Sequence, residues 1–154
     1  MTVLARARRG RTLRALPLSI GLVVLGACGG DVQESDDGAR LVTGRLASMD
    51  DALKTFTVTG LDDQGCVTAT YESPTSTTTG VLVVPEGATV SGGAEDLVVR
   101  LDDETELRAG DSVEGGGTSL QATNRATMDA ANASVLDRVE QTCGADVAVV
   151  VNSW

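Results

Sequence analysis

The acidic side chains between Asp102 and Glu106 are the closest grouping of possible metal ligands in the sequence. Asp102, Asp103, Glu104 and Glu106 concentrate carboxylate oxygens, the ligands that a hard cation such as Ca²⁺ prefers. Their spacing differs from that of an EF-hand loop, and the glycine of that loop is missing. We therefore interpret them as the solvated tip of a hairpin, with Ca²⁺ binding as the alternative. We expect the protein to use no cofactor.

The residue types needed for nucleophilic catalysis are largely missing. The chain contains no histidine, which excludes Ser-His-Asp and Cys-His catalysis and any His-ligated metal. Gly115–Gly117 followed by Thr118 and Ser119 has the glycines of a phosphate-binding loop, but no lysine follows. We expect a bend or bulge at these glycines, and a protein that is not an enzyme. A hydrolase using two facing carboxylates is the enzymatic alternative.

Cys28 stands at the end of a segment with the properties of an export signal. Residues 1–14 carry five arginines and no acid, and residues 15–27 are apolar except for Ser19. As a helix, the apolar part would span about 20 Å, which is short of a hydrocarbon core of about 30 Å. It therefore fits the apolar region of a signal peptide and not a membrane-spanning helix.

Residues 25–28, Leu-Gly-Ala-Cys, resemble the lipobox of bacterial lipoprotein precursors. The resemblance implies that the Cys28 sulfur receives a diacylglyceryl group and that a signal peptidase removes residues 1–27. Two or more acyl chains then anchor a protein stably to a bilayer. The expected location is the extracytoplasmic face of the cell membrane. An ordinary secretory signal is the alternative. Arg8-Arg9 resembles a twin-arginine signal, but Arg11 and Thr12 occupy positions where that signal has hydrophobic residues, and the general export route is therefore favoured.

The other two cysteines, Cys66 and Cys143, are left as a pair once Cys28 is assigned to lipid. Because an extracytoplasmic compartment permits oxidation, we predict a disulfide between them. Two buried free thiols are the alternative.

The charge of the exported part limits its partners. Seven basic and 22 acidic residues follow residue 27, a net charge of −15. Such a domain repels phosphate backbones, and the chain has only three aromatic residues for stacking on bases. We therefore expect no nucleic-acid partner, attachment to the membrane through the lipid on Cys28, and a possible protein partner in the envelope.

The pattern of turns and apolar residues predicts one small β-rich domain. Residues 28–39 have few apolar side chains, which predicts a flexible acidic tether before a domain over 40–154. One amphipathic helix is expected from about Arg125 to Thr142, and a strand covered on both faces over Val147–Val151. A flexible polar loop is expected over 73–79, with glycosylation as the alternative. Further short strands are predicted over 40–48, 54–59, 65–71, 81–84, 97–101, 105–108 and 112–114.

The expected fold is a small OB-like barrel or meander with the helix packed on the sheet. Four groups of residues occur in this order: Gly65-Cys66, Val83-Val84-Pro85, Gly110-Asp111-Ser112-Val113 and the glycine run. Because of these groups, residues 40–154 are similar to small secreted bacterial domains of uncharacterised function with an OB-like barrel. That resemblance implies no functional residues. The sequence therefore predicts a lipid-anchored envelope protein that acts as a binding or structural module, with a small-ligand or Ca²⁺-binding lipoprotein as the alternative.

Overall fold

A computed structural model describes residues 31–46 and 53–154 of the chain. The predicted signal peptide and Cys28 lie outside these residues. Within them the secondary structure is mainly β, with one α-helix near the C-terminal end. The strands are β1 Val32–Glu34, β2 Arg40–Thr43, β3 Lys54–Leu61, β4 Val67–Ser73, β5 Ser76–Val84, β6 Thr89–Ser91, β7 Val98–Arg100, β8 Glu106–Arg108, β9 Ser112–Gln121 and β10 Val147–Ser153; a 3₁₀ helix, Ala122–Thr127, precedes α1, Ala130–Cys143.

Five of the strands pair in a closed circuit. β3, β4 and β5 form an antiparallel meander, β5 pairs with β10 in parallel, and β9 pairs antiparallel with both β10 and β3. This circuit is the connectivity of a small barrel, because each strand finds a partner on both sides. β2 extends the sheet by pairing in parallel with the end of β5, and β6, β7 and β8 form a separate antiparallel sheet.

The alternating side chains of β5 and β10 face two different cores. Leu82 and Val84 of β5, with Val149 and Val151 of β10, belong to the core that contains Phe56 and the buried residues of β7 and β8. Val81 and Val83, with Ala148 and Val150, instead pack with the buried face of α1. Because successive side chains of a strand point to opposite faces, an unbroken apolar run is buried on both sides. The predicted strand over Val147–Val151 is therefore confirmed, and so is the mainly β fold with a C-terminal helix packed on the sheet.

Helix α1 begins later than its apolar spacing predicts, and its ends explain why. The residues before it form the 3₁₀ helix, and Met128 is extended. The Asp129 carboxylate then accepts a hydrogen bond from the Asn132 backbone N–H at 2.9 Å, which caps the first turn. At the other end Gly144 adopts a left-handed conformation with φ 64°, the usual termination of a helix.

The predicted tether is wrong for most of its length. β1 lies in it and pairs antiparallel with β2. The Ser35 hydroxyl donates to the Gly92 carbonyl at 2.7 Å and accepts from the Ala39 N–H at 2.9 Å, and Ala39 is fully buried. Backbone pairing and Ser35 thus order a segment that has few apolar side chains. The folded domain therefore includes residues 31–39 of the predicted tether, and residues 28–30 lie outside the described ranges.

Two other local predictions are also corrected. Residues 73–79 form a tight hairpin rather than a flexible loop, because β4 and β5 pair up to Ser73 and Ser76 and the Ser73 hydroxyl bonds across the turn. The glycine run Gly115–Gly117 does not interrupt its strand: β9 continues through it from Ser112 to Gln121. A bulge does occur opposite these glycines, but its extra residue lies in the partner strand: β10 pairs Val151 with Gly117 and Ser153 with Gly116, so Asn152 is left over between them.

In the part of the chain described, no helix combines the length and the hydrophobicity needed to cross a bilayer.

Candidate functional site

The carboxyl ends of three parallel strands lie along one edge of the sheet. β2 and β10 both run parallel to β5 and pair with it on its two sides. The residues that end or follow these strands are therefore brought together, although they are distant in sequence. They are Arg45 and Leu46 after β2, Pro85 after β5, and Asn152, Ser153 and Trp154 at the end of β10.

These residues, together with Asp102 from the turn between β7 and β8, line a pocket of about 360 Å³. Small-molecule sites commonly have volumes of about 300 to 1,000 Å³, so the pocket has room for a small ligand. Its walls combine apolar surface from Leu46 and Pro85 with the charged side chains of Arg45 and Asp102.

Trp154 lines both the pocket and a small cavity in the adjoining core. Its side chain packs against the core that contains Phe56, and it also lines a small apolar cavity of about 10 Å³ within that core. The cavity is too small to hold more than about one water molecule. The accessible space therefore lies on the outer side of Trp154, where the indole contributes one wall of the larger pocket.

Asn152 is the polar residue of the pocket with the least satisfied side chain. Its amide oxygen and amide nitrogen are both buried, and neither has a hydrogen-bond partner among the residues that the structure describes. Leaving such atoms without partners costs about 1 to 3 kcal/mol for each group, and native proteins rarely do so. Its neighbour Ser153 is satisfied differently, since the hydroxyl accepts a hydrogen bond from the Gly116 N–H at 3.3 Å.

Arg45 differs from most other arginines of the domain in having no anionic partner. Within residues 31–46 and 53–154 it makes no ion pair and no hydrogen bond. By contrast, Arg125 bonds both Asp137 and Glu140. Arg138 is held by the Thr43 carbonyl at 3.1 Å. An exposed guanidinium beside a pocket is available to an anionic group of a ligand.

The four acids proposed as possible Ca²⁺ ligands do not converge. The Glu106 carboxylate accepts a hydrogen bond from Arg100 at 2.5 Å, and this bond and the charge of Arg100 hold the pKa of Glu106 below its ordinary value. Asp103 instead accepts from the Thr105 backbone N–H at 2.9 Å, the main reason that its pKa is lowered. Asp102 lines the pocket, and Glu104 occupies the turn with φ 69°.

These acids are thus arranged as a hairpin turn. Across the described ranges, no three Cys, Asp or Glu side chains are grouped as a metal site would require.

The predicted pairing of Cys66 with Cys143 is present as a disulfide that joins positions 77 residues apart. Cys66 lies just before β4 and Cys143 is the last residue of α1, so the bond ties the helix to the sheet. Both residues are buried in the core beneath the helix. Cys28, the predicted lipidation site, lies outside the described residues.

The chain was compared with protein-family models, curated proteins and solved structures. No match was found in any of the three. The chemistry of the chain's own residues is therefore the basis for a functional assignment.

The sequence pattern did not indicate most of the pocket residues. Only Asp102 was among the candidate ligands, and it was grouped with its neighbours in sequence rather than with Arg45 or Asn152. The available signals were Asn152, a polar residue directly after an apolar strand, and an arginine in a strongly acidic domain. Neither signal identifies a site until the strand order is known.

Proposed function

We propose that the chain is a lipid-anchored envelope protein whose β domain is displayed on the extracytoplasmic face of the membrane and acts as a non-enzymatic binding module. The observation that supports this most is the pairing of Cys66 with Cys143. It leaves Cys28 as the remaining cysteine of the three, at the end of the export-type segment. A structural disulfide also fits an oxidising compartment.

The pocket supports the proposed binding role. The strand order of the domain brings side chains from four separate segments around one pocket, while Glu106 is bonded to Arg100 and Asp103 to the backbone of its own turn. Between the two alternatives predicted from the sequence, a small ligand is therefore favoured over Ca²⁺. A protein partner in the envelope remains compatible with the same anchor.

Labelling with a palmitate analogue tests the anchor. Cells that express the full chain are grown with alkyne-tagged palmitate, and the purified protein is examined for the tag. We expect label in the unaltered chain and none in Cys28→Ser. The double variant Cys66→Ser/Cys143→Ser is the matched control and should keep the label, because it retains the residue that is acylated. Equal labelling of Cys28→Ser and the unaltered chain would rule out the proposed anchor.

A further inference from the structure

We propose that the pocket at the carboxyl ends of β2, β5 and β10 binds a short peptide through its C-terminal carboxylate and its last amide group. This deepens the proposed binding function by naming a ligand class, but it does not depend on the lipid anchor. Its basis is the set of side chains that meet in the pocket: Arg45, Asn152, Asp102 and Trp154.

The amide of Asn152 indicates an amide in the ligand. A side-chain amide offers one acceptor and two donor hydrogens, and here both its oxygen and its nitrogen lack partners within the described ranges. A peptide group has the matching acceptor and donor. Asn152 lines the pocket, and because the torsion that turns its amide is broad, the proposed binding includes a rotation that turns these two buried atoms toward the ligand.

Arg45 indicates a carboxylate next to that amide. A guanidinium pairs with a carboxylate through two parallel hydrogen bonds, and the side chain of Arg45 is exposed and unpaired among the described residues. In a domain with seven basic residues against 22 acidic ones, an unpaired arginine is a specific attraction for a negative charge.

Asp102 favours a carboxylate over a phosphate. Its side chain lines the same pocket, and repulsion between like charges penalises a ligand with two negative charges more than a ligand with one. The same carboxylate can accept a hydrogen bond from a ligand N–H. Leu46, Pro85 and Trp154 supply the apolar surface against which a small alkyl side chain of the peptide would pack.

The fluorescence of Trp154 provides a direct measurement, because it is the only tryptophan in the chain and it lines the pocket. The full chain, purified in detergent, is titrated with acetyl-Ala-Ala as the free acid and, separately, with the same peptide as its C-terminal carboxamide. We expect a saturable change in emission with the acid and binding weaker by about tenfold or more with the carboxamide, because the pair with Arg45 is lost.

Variants assign the effect to the pocket. Arg45→Gln should weaken binding of the acid by about tenfold and abolish the preference for the acid over the carboxamide. Asn152→Ala should weaken the binding of both the acid and the carboxamide. Arg108→Gln is the control, since it removes an exposed arginine outside the pocket and should leave the titration unchanged. Thermal unfolding of each variant checks that Arg45→Gln, a change at an exposed position, leaves the fold intact.

No saturable change at millimolar acetyl-Ala-Ala would overturn the proposal. Equal affinity for the acid and the carboxamide would do so as well, as would unchanged binding by Arg45→Gln. The titration is repeated with Cys28→Ser in detergent. Because that variant lacks only the proposed lipid site, it should bind the peptide normally, and a failure of the anchor is thus distinguished from a failure of the pocket.

Discussion

At Gly115 and Gly117 of β9, the lack of a side chain lets the backbone of β10 lie very close. A Cβ atom on Gly117 would overlap the Val150 carbonyl oxygen, and one on Gly115 would overlap that of Ser153. The Phe56 ring also lies against Gly117, with Cζ 3.0 Å from the position of such a Cβ. The glycines therefore permit the close contact of β9 with β10 and let an aromatic ring fill the barrel beside them.

Gly117→Ala should be strongly destabilising. The added methyl group meets backbone rather than a movable side chain, so β10 or Phe56 must shift, and we expect a loss of roughly 3 kcal/mol in the free energy of unfolding. Urea denaturation measures it. Gly93→Ala is the control, because its nearest neighbour would be the Asp37 Cβ at 3.4 Å, an ordinary contact. Similar unfolding free energies for both variants would show that the strands do not approach as described.

Sequence patterns give limited guidance at the scale of single residues. A run of glycines is compatible with a bend, a bulge or a close approach of strands, and only the position of β10 distinguishes these. The pocket could not be predicted from the sequence for the same reason, because only the strand order brings its residues together. These residues include Arg45, Pro85, Asp102 and Asn152. The two cysteines were easier to pair, because their number and the predicted compartment leave few choices.

The β7–β8 hairpin shows how charge is used at the scale of elements. Arg100 and Glu106 lie opposite each other in the strand pairing and their side chains bond across it. Arg100 lowers the pKa of Glu106 in the folded state, so the ionised carboxylate is favoured there more than in the unfolded chain. The pair is exposed, and its contribution is therefore screened by solvent and salt.

Glu106→Gln should lower the melting temperature slightly at neutral pH. A lowered folded pKa gives stability that is present above the unfolded pKa and is lost as pH falls through the folded pKa. The difference between variant and unaltered protein should thus disappear in acid, below the lowered pKa of Glu106. Melting curves from neutral to acidic pH measure this. Glu104→Gln removes a neighbouring acid that is not opposite Arg100, and it should not reproduce the pH-dependent difference; an identical response would contradict the role of the pair.

At the scale of elements the sequence was a good guide where apolar periodicity is strong. The apolar run Val81–Val84 in β5 and the continuous run in β10 gave strands, and the apolar spacing gave a helix at α1, although the helix begins later than predicted. Prediction failed where backbone hydrogen bonds alone order a polar segment. β1 and the β4–β5 hairpin are polar, and their pairing depends on partners that are not visible in local sequence.

Across the whole molecule the disulfide connects parts that are distant in the chain. It joins the residue before β4 to the last residue of α1, 77 positions apart in the sequence. In the chain-entropy model, a loop of this length stabilises a fold by about 4 to 5 kcal/mol, because it restricts the unfolded chain. This is a large fraction of the net stability of a small domain, which is about 5 to 15 kcal/mol.

The double variant Cys66→Ser/Cys143→Ser should lose about 4 to 5 kcal/mol in the free energy of unfolding, as measured by urea denaturation. Cys28→Ser should unfold at the same urea concentration as the unaltered chain, because that residue has no part in the bridge. If the double variant retained the stability of the unaltered chain, the disulfide would not be the structural constraint described here.

The central proposal concerns the whole molecule: we propose that its N-terminal segment is an export signal that ends in a lipid anchor. Mass spectrometry of the N-terminal peptide, taken from protein in the membrane fraction, tests this most directly. We predict a mature chain that begins at Cys28 and carries a diacylglyceryl group on its sulfur. A mature chain that begins elsewhere, or a Cys28 with a free thiol, would contradict the account.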